Sequence, residues 1–169
     1  MNRNVWYKVD NVANIFLTTY TKRDTRSLRV SCTLKEPIEP EILQRALGKT
    51  IKIRPQFQVT IQRGLFWHYM DSTNAKPKVE KEQGRPCPML YGEYYKNPLH
   101  YKVTYYHNRI NLDVFHALTD GTGAMEFLNI LVHEYLKLKH PGDLEDVIVQ
   151  TGADKDSLEQ DSYKHFRNK

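Results

Sequence analysis

The sequence predicts an α+β protein, an α/β two-layer sandwich in which helices cover one face of a largely antiparallel or mixed β-sheet. Three observations carry that prediction. Several segments alternate apolar and polar residues with the period of a strand, two others repeat apolar residues with the period of a helix, and the two kinds are interleaved along the chain rather than segregated. At 169 residues the chain fits one domain of ordinary size, long enough to bury about 70% of the surface its unfolded form would expose.

Residues 5–20 mix aromatics with Asp10, Asn11 and Asn14, and the cluster Val12, Ala13, Ile15, Phe16 and Leu17 marks an opening segment packed on the core, of undetermined secondary structure. A polar loop at 22–26 follows. Leu28, Val30, Cys32 and Leu34 then alternate with Arg29, Ser31, Thr33 and Lys35, the pattern of a half-buried strand. Pro37 ends it. Pro40 occupies the first helical turn, where a missing N–H costs nothing, and Glu39 and Glu41 complement the helix dipole. Ile42, Leu43, Ala46, Leu47 and Ile51 make the apolar stripe, and the helix must stop before Pro55. Phe57, Val59 and Ile61 read as a strand, Arg63-Gly64 as a tight turn and residues 65–70 as the returning strand of a hairpin.

Residues 71–98 are polar and punctuated by Pro77, Gly84, Pro86, Pro88, Gly92 and Pro98, which predicts an excursion over the surface with a short edge strand inside it. Tyr91, Tyr94 and Tyr95 in that stretch suit either an acceptor pocket or simple ring packing. Tyr101, Val103 and Tyr105 alternate as the next strand. His107-Asn108 turns the chain into a further strand whose Ile110, Leu112 and Val114 share one face, and His116 continues that inward face. Gly121 and Gly123 relax the backbone, Thr122 is placed to cap a helix, and Ala124, Phe127, Leu128, Leu131, Tyr135 and Leu138 recur at helical spacing. Lys139-His140-Pro141-Gly142 stops that helix. We therefore assign residues 1–142 to the domain and 143–169, rich in Asp, Glu, Gln, Ser and Lys, to a polar linker toward an absent second domain.

Chemistry points to the strand–turn–helix at 113–128. An imidazole at a strand end, with an ordinary pKa of about 6.5, can accept a proton near neutral pH and return it. Asp120, four residues after His116, could orient that imidazole or pair with an arginine and hold the loop; spacing alone leaves both open. The segment His116-Ala117-Leu118-Thr119-Asp120-Gly121 resembles the His-x-x-x-Asp-Gly signature of the superfamily of chloramphenicol acetyltransferase and peptide-synthetase condensation domains. Trp6-Tyr7-Lys8-Val9-Asp10-Asn11 and Gly64-Leu65-Phe66-Trp67 add a resemblance, in order, to the N-terminal half of the bacterial alcohol acetyltransferases, running to about Leu138. Where many members carry a second histidine before the catalytic one, this chain has Phe115.

The resemblance implies a chloramphenicol acetyltransferase-like half-domain and an acyltransferase that uses acetyl-CoA or another acyl-CoA as cosubstrate, with no resident cofactor. It makes His116 the general base toward a small alcohol or amine acceptor, gives Asp120 support of the catalytic loop through an arginine, and has Gly121 let the backbone turn closely beneath the histidine. Relatives of this pattern are pseudo-dimers whose second half brings an Asp-Phe-Gly-Trp-Gly-like motif, absent here. The implied partner is a C-terminal half or another copy. The rival expectation is a non-catalytic binding or assembly module that keeps the fold.

Other classes fit poorly. The net charge of +5 is spread without a dense Lys/Arg block, which argues against nucleic acid and allows only mild steering of an anionic cosubstrate. No apolar run approaches the roughly 18 residues of a spanning helix. Cys32 and Cys87 are far apart and outside any Cys-x-x-Cys spacing, so reduced thiols and a cytoplasmic location are expected. No phosphate loop, His-Glu-x-x-His, nucleophile elbow or dinucleotide fingerprint occurs. His68, His100, His107, His133 and His140 read as surface or edge residues, and no metal site is expected.

Overall fold

The computed structural model describes residues 6–8, 11–65, 67–93 and 95–142, so the linker assigned to 143–169 lies outside the described residues. Its elements are β1 (Trp6–Lys8), α1 (Asn11–Thr19), β2 (Ser27–Thr33), α2 (Pro40–Ile53), a 3-10 turn (Pro55–Phe57), β3 (Val59–Arg63), β4 (His68–Ser72), β5 (Val79–Lys81), β6 (Tyr101–Tyr106), β7 (Arg109–Phe115) and α3 (Gly121–Lys139). The protein is a mixed α+β sandwich, but the strands form two sheets rather than one. One has the order β1-β4-β3 and the other β2-β7-β6-β5. Every pairing is antiparallel except β5 on β6.

Helices α2 and α3 lie on one face of the four-stranded sheet. Leu43, Ala46 and Leu47 of α2 and Ala124, Phe127, Leu128, Leu131 and Tyr135 of α3 meet Val103, Ile110, Leu112 and Val114 in the main core. Burying a large apolar side chain of this kind contributes about 1.5–3 kcal/mol before entropy is charged against it. Phe57, expected as the first residue of a strand, instead sits in the 3-10 turn, where its ring packs on Phe127 at 4.3 Å between centroids. Arg54, at the end of α2, pairs with Glu126 of α3.

Beneath the sheet the logic changes. The alternate residues of β7 face a second, smaller core in which Phe115 and Ala117 meet Ala13 and Leu17 of α1, Ile61 of β3 and Leu90. That same face also carries charge. Asp113, with its side chain 1% exposed, takes a bidentate fork from Arg29 of β2 (Nε–Oδ1 2.8 Å, Nη2–Oδ2 2.7 Å). Arg29 also pairs with Glu82, which is joined in turn by Arg109 at 2.9 Å. These contacts hold the Arg29 guanidinium well above its ordinary pKa and the Glu82 carboxyl below its own.

The opening segment, of undetermined secondary structure in the sequence, is a short strand followed by a helix. Two expectations need correction. The returning strand of the hairpin starts at His68, not 65, because Gly64 N–H donates to Trp67 O at 2.8 Å and closes a longer loop that leaves Leu65 89% and Trp67 55% exposed. The stretch 71–98 is less superficial than its composition implies: β5 is the edge strand expected within it, but Leu90 is a core residue at 1% exposure. Cys32 and Cys87 are free. No helix among the described residues is long and apolar enough to cross a membrane.

Candidate functional site

Strand β7 ends at Phe115, one residue before His116. The chain turns there, with Leu118 N–H donating to Phe115 O at 2.9 Å, so the alternation of Ile110, Leu112 and Val114 does not carry through to the histidine. Instead of joining the main core, the His116 ring stacks on Phe16 of α1, with centroids 4.3 Å apart and planes 15° from parallel. Its backbone is fixed by an N–H donated to Arg26 O at 2.8 Å, while the half-exposed imidazole has no hydrogen-bond partner among the described residues. A ring held in place, with neither nitrogen hydrogen-bonded among the described residues, has the geometry to take a proton from a docked hydroxyl or amine.

Asp120 is exposed and forms the N-cap of α3, with extended backbone (φ −81°, ψ −177°) and a carboxylate accepting from Gly123 N–H at 2.8 Å. This corrects the expectation that Thr122 caps the helix. Its carboxylate meets neither His116 nor an arginine among the described residues, so it holds the loop through the helix terminus. Gly121 also differs from expectation. A Cβ there would meet nothing within 4 Å and its φ lies outside the left-handed range, whereas a Cβ on Gly123 would collide with Thr119 Oγ1. Of the two glycines the crowded one is Gly123, where a Cβ would displace the Thr119 hydroxyl.

Around His116 and Phe115 stand one neighbour that the sequence reads only as part of a core-packed opening segment, and two tyrosines that it leaves between an acceptor pocket and ring packing. The first is Phe16; its signal is the 13, 16, 17, 20 spacing of Ala13, Phe16, Leu17 and Tyr20, which is helical. Tyr91 lies flat on Phe115 (centroids 5.0 Å, planes 12° apart), and burial raises the pKa of its phenol. Tyr95 packs against the second core and donates its hydroxyl to Leu99 O at 2.7 Å, with its pKa pushed by burial up to about 12. Tyr94 lies outside the described residues.

His100, expected at the surface, is only 4% exposed. It donates Nδ1–H to Leu90 O and accepts Ile61 N–H at Nε2, both at 2.8 Å. Those two bonds fix the neutral tautomer, and burial lowers the pKa. His100 is therefore a structural joint between β6, β3 and the 90s loop. Its own carbonyl also accepts Phe115 N–H at 2.9 Å, next to His116. No cluster of His, Cys, Asp or Glu with the arrangement of a metal site occurs among the described residues.

No protein-family model matches the chain, and no curated protein does. Solved structures match in fold. The starter condensation domain of rhizomide synthetase aligns with a TM-score of 0.63 at 11% identity, over 80% of this chain and 38% of that one. The epimerization domain from the third module of tyrocidine synthetase B gives 0.61 at 9% identity, over 82% and 36%. Polyketide synthase associated protein 5 from Mycobacterium tuberculosis gives 0.59 at 12% identity, over 81% and 34%. This chain thus has a condensation-domain-like fold and spans well under half the length of those chains. At such identities the likeness is one of fold, and one fold hosts different reactions.

Proposed function

We propose that this chain is one half of an acyl-CoA-dependent acyltransferase, with His116 as the general base that takes a proton from an alcohol or amine as that atom attacks the thioester carbonyl. The observation that carries the reading is the imidazole itself: it is clamped through its backbone to Arg26 O and stacked on Phe16, yet without a hydrogen-bond partner among the described residues. The condensation-domain-like fold supports the same class of chemistry, in which an acyl group moves directly from a thioester to a nucleophile. In this reaction the nucleophile–carbon bond forms, the carbon–sulfur bond breaks, the nucleophile's proton passes to His116 and then to the departing thiolate, and nothing covalent forms on the protein. General-base assistance supplies roughly a hundred- to ten-thousandfold, and positioning and oxyanion donors supply the rest.

A second half, from the same polypeptide or another copy, would provide the opposite wall and the oxyanion donors. Asp120 and the α3 terminus would hold the turn that follows the base. The rival reading, a non-catalytic module, draws on the Asp120 carboxylate being turned to Gly123 N–H rather than to the imidazole. One assay separates the two. Acetyl transfer from acetyl-CoA to a panel of alcohols and amines is measured for the chain alone, for a form completed by a second acyltransferase-like half, and for that completed form carrying His116→Ala. The proposal expects negligible transfer by the monomeric chain, turnover by the completed form, and a loss of at least about a hundredfold with His116→Ala. A completed form inactive on every acceptor, or one whose rate survives His116→Ala, establishes the module instead.

A further inference from the structure

A concavity lies near the stretch that holds His116, without including the histidine in its lining. It is a groove of about 850 Å³ between the 22–27 loop and residues 85–89, within the range of small-molecule sites. Lys22, Arg23 and Arg85 line it, against a single acid, Asp24, whose carboxylate is already 3.3 Å from Arg26 Nη2. Its floor is apolar, made of the half-buried Cys87, Pro88 and Met89. A cationic rim over an apolar floor suits a ligand with phosphate at one part and an uncharged body at another.

The two loops are held in register rather than loosely apposed. Thr25 Oγ1 donates to Cys87 O at 2.8 Å, Ser27 Oγ to Pro88 O at 2.9 Å, and Cys87 N–H donates to Asp113 Oδ1 at 2.9 Å. The Asp113 charge beneath the floor is matched by the Arg29 fork, so it offers an approaching anion little repulsion. Arg26 and Cys87 both have φ near +52°, the left-handed region that costs a side-chain-bearing residue energy, and the hydrogen bonds of Thr25 and Ser27 that join the two loops flank Arg26. The same Arg26 gives its carbonyl to His116 N–H, and Ser27 is registered opposite Phe115. One wall of the groove and the candidate base therefore hang on the same stretch of backbone.

The geometry points to this groove as the seat of the phosphate groups of coenzyme A, with the arginines on the phosphates and the uncharged part of the molecule along the Pro88 and Met89 floor. The identity of the ligand rests on the acyl-transfer reading; the polarity of the site does not. Calorimetry on the 169-residue chain tests it, titrating coenzyme A and, separately, pantetheine, which has the same arm without phosphate. The variants are Arg23→Ala with Arg85→Ala, both exposed and outside the core, and His116→Ala. Expected are binding of coenzyme A that weakens steeply with salt, a loss of about tenfold or more in the double variant at unchanged melting temperature, and a change under about twofold for His116→Ala. Pantetheine should bind much more weakly and ignore the arginine substitutions.

Absence of coenzyme A binding, equal affinity in the double variant, or pantetheine binding as well as coenzyme A each overturns the assignment. The two readings also fail separately. Coenzyme A bound through the arginines with no transfer by any completed form leaves the groove and removes the acyltransferase; transfer with an unchanged KM for acetyl-CoA in the double variant does the reverse.

Discussion

Replacing His100 with leucine removes a joint that no neighbouring side chain can replace. Strand β3 is an edge of its sheet, and the N–H of Ile61 that points away from β4 is accepted by His100 Nε2 at 2.8 Å, while Nδ1–H satisfies Leu90 O at the same distance. Leucine fills similar space but leaves that donor and that acceptor buried and unpaired, at about 1–3 kcal/mol each, so a loss of about 3–4 kcal/mol is expected. His100→Gln, which can still accept from Ile61, should lose about half of that. The wild-type bond is also pH-dependent. Burial lowers the folded pKa of His100 below the unfolded value of about 6.5, so the unfolded chain takes up a proton that the folded chain refuses. Stability from this group is fully present above about pH 6.5 and is lost as the pH falls through that value toward the folded pKa. His68, lowered by burial and by Arg63, adds in the same direction. Urea titrations between about pH 7.5 and about pH 5.5 should show the wild type losing up to about 1.4 kcal/mol per pH unit for each such histidine, and His100→Gln should have a shallower slope. Equal slopes in the two proteins, or a cost under about 1 kcal/mol for His100→Leu, would refute the joint.

Three further outcomes follow from the same geometry. Asp120→Ala should cost about 1 kcal/mol by removing the cap on Gly123 N–H, with Asp120→Asn costing less, both read by thermal melting. Gly121→Ala should be neutral or stabilising by up to about 1 kcal/mol, whereas Gly123→Ala should cost about 1–3 kcal/mol and be rescued by Thr119→Ala, which removes the hydroxyl it strikes; equal effects at both glycines would contradict the packing described. Asp113→Ala should cost about 2–3 kcal/mol in denaturant melts, since it takes from Arg29 its bidentate partner, leaving only Glu82, and takes the acceptor from Cys87 N–H.

The elements with long, regular patterns were readable from sequence: Leu28 to Leu34, the α2 stripe, Tyr101 to Tyr105, Ile110 to Val114 and the α3 stripe all fall where periodicity puts them. Helix α1 was not, because Asn11-Val12-Ala13-Asn14-Ile15-Phe16-Leu17-Thr18-Thr19 is rich in weak helix formers and takes its conformation from packing on the second core. The role of His100 was invisible because its partners stand 39 and 10 residues away, where no local pattern reaches. The existence of a second core was equally hidden: β7 is buried on both faces, and the polar Asn111 and Asp113 that alternate with its apolar residues are fully buried, which alternation alone does not signal. The strand–turn–helix around His116 was legible, but which of its glycines is crowded depends on the rotamer of Thr119, which is a tertiary fact.

What separates His116 from every other well-ordered polar residue in its neighbourhood is how little it does for the fold. His100, Asp113 and Asp120 each satisfy a backbone group with a side-chain atom, so each has a structural reason for its identity. His116 is positioned by its own N–H to Arg26 O, a bond any residue but proline could make, and its imidazole contributes only the stack on Phe16. Aromatic stacking of this sort is worth about 0.5–1.5 kcal/mol beyond buried area, and a phenylalanine in its place would keep it. His116→Phe should therefore leave the melting temperature within a few degrees of wild type while abolishing any acyl transfer by the completed form. A collapse of stability on that substitution would mean that the imidazole is a structural group after all, and the case for a base at the end of β7 would lose its footing.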